Sequence, residues 1–330
     1  MLGPETAPST SAPPASTPGP AGSRPAVALV AALRENLGRV FVGPAETVDR
    51  VLVALLAEGH LLVEDVPGVG KTTLAKALAR SIACGFKRVQ FTPDLLPSDV
   101  VGVSVWDQAA RAFEFRPGPV FTNVLLADEV NRTSPRTQSC LLEAMSEPAV
   151  TVDGVPHALP RPFLVVATQN PFEFEGTYPL PESQLDRFLL RLRVGYPSAA
   201  QEREVLRAQA LAHPLERLAP VVDAEDVLRL QAETRAVRVD DALVDWVVAL
   251  AQRSRAHPAF AVGVSPRGAL ALRRAAQALA LVRGRTYAVP DDVRDLVVPA
   301  LAHRVLPAPG VAGSGEEALA RLLEDVPVPV

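Results

Sequence analysis

The sequence predicts an α/β layered domain built on a parallel sheet, followed by an all-helical domain. Short apolar strands alternate with amphipathic helical stretches up to about residue 196. A glycine-rich turn joins one of these strands directly to a helix, the arrangement that places a ligand at the carboxyl ends of the strands. Beyond about residue 197 the strand pattern stops and helical periodicity continues alone.

The elements follow in order. Seven of the first 25 residues are proline, set among Ala, Ser, Thr and Gly, with neither a basic start nor an apolar run of the secretory kind. Residues 1–25 are therefore expected to be a disordered tail. The α/β domain is assigned to residues 26–196. HLLVE at 60–64 is its first strand, and VPGVGKTT follows without a break. In the next stretch Leu74, Leu78 and Ile82 share one helical face. Further strands are expected at 86–91, 123–128, 163–168 and 188–194, most of them apolar enough for a sheet interior. Two hairpins interrupt the alternation. GVSVW and AFEF flank Asp107 to Ala110, and AVTV and VPHAL flank Asp153-Gly154, a pair suited to the positive φ angles of a type I′ turn. The helical domain takes 197–330, where ALVDWVVAL puts Leu243, Trp246, Val247 and Leu250 on one face.

Composition narrows the class. The chain has 330 residues, of which 48% are hydrophobic, enough for a sizeable core. Its 33 Lys and Arg against 37 Asp and Glu give a net charge of −4, which argues against a dedicated nucleic-acid binder. Apolar runs are broken well before the roughly 18 residues a membrane span needs. The two cysteines, Cys84 and Cys140, form neither a disulfide framework nor a zinc or redox pair, which fits a cytoplasmic protein. The five histidines show no metal-ligand spacing. Only three lysines occur, Lys71, Lys76 and Lys87. A lysine at a special place therefore carries weight.

Lys71 stands at such a place, in Pro67-Gly68-Val69-Gly70-Lys71-Thr72-Thr73. The glycines let backbone N–H groups turn toward an anion, and the helix start adds favourable partial charge. Lys71 can reach the β- and γ-phosphates of a nucleotide, and Thr72 can ligate magnesium. The strict phosphate-loop pattern wants glycine at position 65, where this chain has Asp65, a residue that tolerates tight turns. The plain alternative is an ordinary strand-to-helix turn. Downstream, VLLADEVNR at 124–132 delivers Asp128 and Glu129 at the end of an apolar strand. Asp128 can hold magnesium, usually through water, and Glu129 can polarise an attacking water. Without the loop upstream, two carboxylates at a solvated strand end would be unremarked.

The loop, the DEVNR strand, Asn170, Arg187 in LDRF and Arg267 in SPRG together resemble an AAA+ ATPase. QFTPDLLPSDVVG, FRPGPVF, LLADEVNRTSPRTQSCLLEAM and ATQNPFEFEGTYPLPESQLDRF resemble its MoxR family more narrowly, over roughly residues 26 to 330. The resemblance implies a three-layer P-loop fold with a helical lid, ATP with magnesium as cofactors, and a homo-oligomeric ring, usually a hexamer. It implies Asn170 as the sensor 1 residue orienting water, Arg187 as an arginine finger entering a neighbour's site, and Arg267 as sensor 2. Ser265 as N-cap and Pro266 at the first helical position would fix the helix start beside Arg267. It also implies chaperone-like maturation of a client protein, with a von Willebrand factor A domain protein as a frequent partner. The hairpins resemble the helix-2 and pre-sensor 1 inserts of one AAA+ clade, leaving Trp106, Phe113 and Phe115 as packing or gripping residues. Three alternatives stay open: a magnesium chelatase I subunit, a nucleic-acid motor, and a nucleotide-dependent scaffold with little turnover.

Overall fold

A computed structural model describes residues 24–65, 68–170, 176–209, 214–310 and 313–329. The expected tail at 1–25 lies almost wholly outside them. Helices α1 (Ala26–Gly38) and α2 (Ala45–Leu56) open the described chain, entered from Pro25 and Pro44. A missing N–H costs nothing at a helix start. Then come β1 (Leu61–Glu64), α3 (Lys71–Ser81), β2 (Phe86–Gln90), α4 (Pro97–Val101) and an antiparallel hairpin of β3 (Gly102–Asp107) and β4 (Ala112–Pro117). The chain continues through β5 (Val124–Asp128), α5 (Pro135–Ser146), a second hairpin of β6 (Ala149–Val152) and β7 (Val155–Ala158), β8 (Leu164–Gln169), α6 (Glu182–Leu185) and β9 (Leu190–Leu192).

The five strands expected for the main sheet pair in parallel in the order β2-β5-β8-β1-β9. Alternate residues build two cores. Leu61, Val63, Val124, Leu126, Leu164 and Val166 face the core that holds α1, α2 and α3. Leu62, Leu125, Ala127, Val165 and Ala167 face a second core shared with α5. Burial on both faces is why these strands read as unbroken apolar runs. Asp153 at φ 51° and Gly154 at φ 79° form the turn their sequence predicts. Phe115 packs the two hairpins together, its ring stacked 3.8 Å from that of His157. Trp106 and Phe113 meet edge-on at 5.2 Å and stay exposed.

The remaining helices are α7 (Ala199–Gln209), α8 (Ala224–Ala236), α9 (Asp241–Ala256), α10 (Pro266–Val282), α11 (Pro290–Leu301) and α12 (Gly315–Asp325). Helix α9 buries Leu243, Trp246, Val247 and Leu250, as its periodicity predicts. The lid is not purely helical, because β10 (Phe260–Val262) pairs with β11 (Leu306–Pro307) in a small antiparallel ribbon. Strands of three and two residues are too short to show a period of two. Residues of α1 and α2 share one apolar core with α8, α9 and α10. Gln231 of α8 donates to the Leu55 carbonyl of α2 at 2.7 Å. The step near residue 197 is thus a change of element type within a continuous core. No helix among the described residues is long and apolar enough to cross a membrane.

Candidate nucleotide site

The sheet order places a switch point between β1 and β8, neighbours whose onward connections, to β2 and to β9, run toward opposite edges of the sheet. The phosphate loop lies there, at the carboxyl end of β1. Gly68 and Gly70 have φ values of 90° and 91°, a region other residues avoid. A Cβ built on Gly68 meets nothing within 4 Å, so the loop faces open space. Beneath Gly70 the Phe41 ring lies 3.6 Å from such a Cβ. Helix α3 begins at Lys71, so the first-turn N–H groups of Lys71, Thr72 and Thr73 lack intrahelical partners and carry the positive end of the dipole. Val69 lies in the turn just before, and Pro67 lies outside the described residues.

Lys71 donates to the Asp65 carbonyl at 2.9 Å. Burial pulls its pKa below the ordinary lysine value, and the carboxylates of Asp65, Asp128 and Glu129 oppose that shift. Asp65, the departure from the strict pattern, is buried and structural. Its carboxylate accepts the backbone N–H groups of Val194 and Gly195, each at 2.6 Å, and so ties the start of the loop to the chain leaving β9.

The end of β5 is the acidic wall. Thr168 of β8 holds both of its residues: its hydroxyl donates to Asp128 Oδ1 at 3.0 Å and accepts the Glu129 N–H at 3.0 Å. Glu129 sits in the left-handed region at φ 56°, a conformation costly for a side-chain-bearing residue and frequent at functional positions. Its Oε2 accepts from Gln90 at 2.7 Å and from Arg132 at 3.1 Å. The second oxygen of Asp128 pairs with Arg88 at 2.6 Å. The Asp128 carboxylate and Thr72 hydroxyl are hard oxygen donors of the kind magnesium takes, and the open loop leaves room for phosphates beside them. Asn170 directly follows β8, at the same end of the sheet.

Arg187 and Arg267 are not at this end. Leu189 donates to the His60 carbonyl at 2.9 Å, which puts the LDRF segment at the amino end of β1. Arg187 donates to the Leu142 carbonyl and the Ser146 hydroxyl rather than to its neighbour Asp186. Asp186 instead bridges to the lid, 3.4 Å from Arg267 and 2.6 Å from Arg304. Arg304 is itself buried, and desolvation lowers its pKa to about 10. Ser265 caps α10 by accepting the Gly268 N–H at 3.0 Å, with Pro266 first in the helix, as expected. Arg187, Arg267, Arg274 and Arg304 line one cavity of about 250 Å³ with Asp186 and Glu58. His60 and Asp65 are five residue steps apart, and at about 3.3 Å per step roughly 16 Å lie between the arginines' end of β1 and the loop.

Sequence reasoning did not find Thr168, Arg88 or Gln90, nor the reason for Asp65. Each acts across strands that are distant in the chain, and only the strand order brings them to the site.

Residues 60–190 match the family described as "ATPase family associated with various cellular activities (AAA)", and residues 252–322 match the AAA lid domain. The uncharacterized protein YeaC of Bacillus subtilis (strain 168) is 54% identical over 90% of this chain and 93% of its own. Chaperone MoxR1 of Mycobacterium tuberculosis is 42% identical over 97% of this chain and 88% of its own. A crystal structure from Cytophaga hutchinsonii, of a protein named as an ATPase candidate, superposes with a TM-score of 0.85 at 34% identity, covering 92% of this chain and 96% of that one. A magnesium chelatase I subunit from Arabidopsis thaliana is more distant, 28% identical over 60% of this chain. The lid, the parallel sheet with its phosphate loop, and these relatives agree: the chain is an ATPase belonging to the MoxR family of AAA+ proteins.

Proposed function

We propose that the protein is a ring-forming ATPase, built as a hexamer, whose sites are shared between subunits and whose turnover remodels a client protein. The observation that supports a shared site is the separation along β1. Arg187 and Arg267 gather at its amino end, while Lys71, Asp128 and Glu129 gather at its carboxyl end. Arginines so placed do not serve their own loop but suit the loop of a neighbour.

Each residue then has one task. The N–H groups of the loop and α3, with Lys71, bind the β- and γ-phosphates of ATP. Thr72 and Asp128 would hold magnesium, which when bound offsets phosphate charge. Glu129 takes a proton from the attacking water, and Asn170 orients that water without adding charge. Arg187 and Arg267 of the neighbouring subunit stabilise charge developing on the γ-phosphate. Remodelling of a client accords with the name of the relative Chaperone MoxR1. The exposed Trp106 and Phe113 form a surface a client could meet. A von Willebrand factor A domain partner is proposed on the family resemblance.

Complementation tests the shared site. Lys71→Ala and Arg187→Ala should each be inactive alone, whereas mixing them should restore turnover, because some interfaces then pair an intact loop with an intact Arg187. Turnover per subunit should also rise with protein concentration. Mixtures as inactive as their components, with assembly shown by light scattering, would remove the shared site.

A further inference from the structure

Strand β2 supplies two side chains to the acidic wall. Its register sets Gln90 opposite Asp128, and Arg88, two residues earlier, lies on the same face. Gln90 donates to Glu129, and Arg88 Nε lies 2.6 Å from Asp128 Oδ2. The two partners of that ion pair are unlike. The Asp128 side chain is 9% exposed and the Arg88 side chain 50%. A half-exposed guanidinium can turn into water at little cost, whereas the carboxylate stays, held on its other oxygen by Thr168.

We propose that Arg88 is a positioning residue that acts as a displaceable counter-ion of Asp128, competing with magnesium for that carboxylate and setting the magnesium level at which the nucleotide is bound tightly. This rests on the reading of Asp128 as the magnesium carboxylate. The physical reason is charge. A dication and a guanidinium drawn to one carboxylate repel each other, so the approach of magnesium requires Arg88 to swing out. Arg88 orients Asp128 until then, and its departure is part of loading.

The test uses the full chain and a fluorescent ATP analogue held below saturation, titrated with magnesium chloride. In Arg88→Gln the magnesium concentration giving half-maximal binding should fall about threefold to tenfold, the scale of one charge-assisted contact between a buried carboxylate and a half-exposed guanidinium. Affinity for the same analogue in EDTA should stay within about twofold, because Arg88 meets the cation's carboxylate and not the loop. Arg88→Lys, which keeps a cation, should lie near the wild type. An unchanged or raised magnesium half-point in Arg88→Gln, with the melting temperature kept, overturns the proposal. Asp128→Asn separates the two levels. If its magnesium half-point equals the wild type, the reading of Asp128 itself fails. If Asp128→Asn shifts and Arg88→Gln does not, only the role of Arg88 is lost.

Discussion

The carboxylate of Asp65 accepts the backbone N–H of Gly195 at 2.6 Å. Together with the bond from Val194 this makes Asp65 a tie between the phosphate loop and the exit of β9. Asp65→Gly, which would restore the strict loop pattern, should therefore weaken the protein. Two hydrogen bonds to a buried charged group are lost, and a destabilisation of about 2–4 kcal/mol is expected by urea unfolding. A variant as stable as the wild type would show the tie to be idle.

Thr168 holds the acidic pair from behind. Thr168→Val removes the hydroxyl at nearly constant shape, leaving Asp128 and the Glu129 N–H short of a partner. ATP turnover should fall about tenfold or more while ATP affinity changes little, the mark of a group that orients catalytic residues. Glu129→Gln beside it should bind ATP and lose about 10²–10⁴ in turnover, the range of a general base. Equal losses of affinity and turnover in Thr168→Val would indicate a collapsed site instead.

Acid should unfold the protein through its buried histidines. His60 Nδ1 accepts the Val165 N–H and its Nε2–H donates to the Met145 carbonyl, each at 3.0 Å, a pattern only neutral imidazole satisfies. Burial lowers its pKa from 6.5 to about 4, and burial with the nearby Arg304 lowers that of His303 to about 3. Both folded values lie below the unfolded one. Their stabilisation is therefore complete above about pH 6.5 and is lost as pH falls toward 4 and then 3, at about 1.4 kcal/mol per pH unit for each histidine. His60→Gln should flatten the pH dependence of denaturant stability between about pH 6.5 and 4 by one proton. An unchanged slope would mean that His60 already titrates normally.

Phe113 and Phe115 should differ although they are two residues apart on β4. Phe115 stacks on His157 and meets Phe121 at 5.4 Å, whereas Phe113 is 71% exposed. Phe115→Ala should cost about 1–2 kcal/mol in thermal unfolding and Phe113→Ala no more than about 0.5. Equal costs would place both aromatics in the same environment.

Much of this architecture could be read locally. Strands β1, β5 and β8, buried on both faces, read as apolar runs, and Asp153-Gly154 announced its turn. Lys71 behind two glycines marked the loop, and Ser265-Pro266 marked the start of α10. What was illegible depends on which distant segments become neighbours. Asp65 resembles a turn residue until its partners, 129 and 130 positions away, are known. Arg88 and Gln90 look like ordinary polar residues on an edge strand until β5 is placed beside β2. Arg187 and Arg267 are 80 residues apart, and nothing in their spacing shows that they line one cavity, Arg187 held by Leu142 and Ser146 and Arg267 by Asp186.

The two ends of β1 also limit which assemblies are complete. On the shared-site reading, a ring sets the arginines of each chain against the loop of the next, always in the same direction. Head-to-tail contact is heterologous, so it continues until rotation brings it back to its origin. Any open arc then leaves one loop without its arginines and one set of arginines without a loop. Closure alone leaves no such vacancy, so the last subunit to join contributes two working interfaces where each earlier one contributed one.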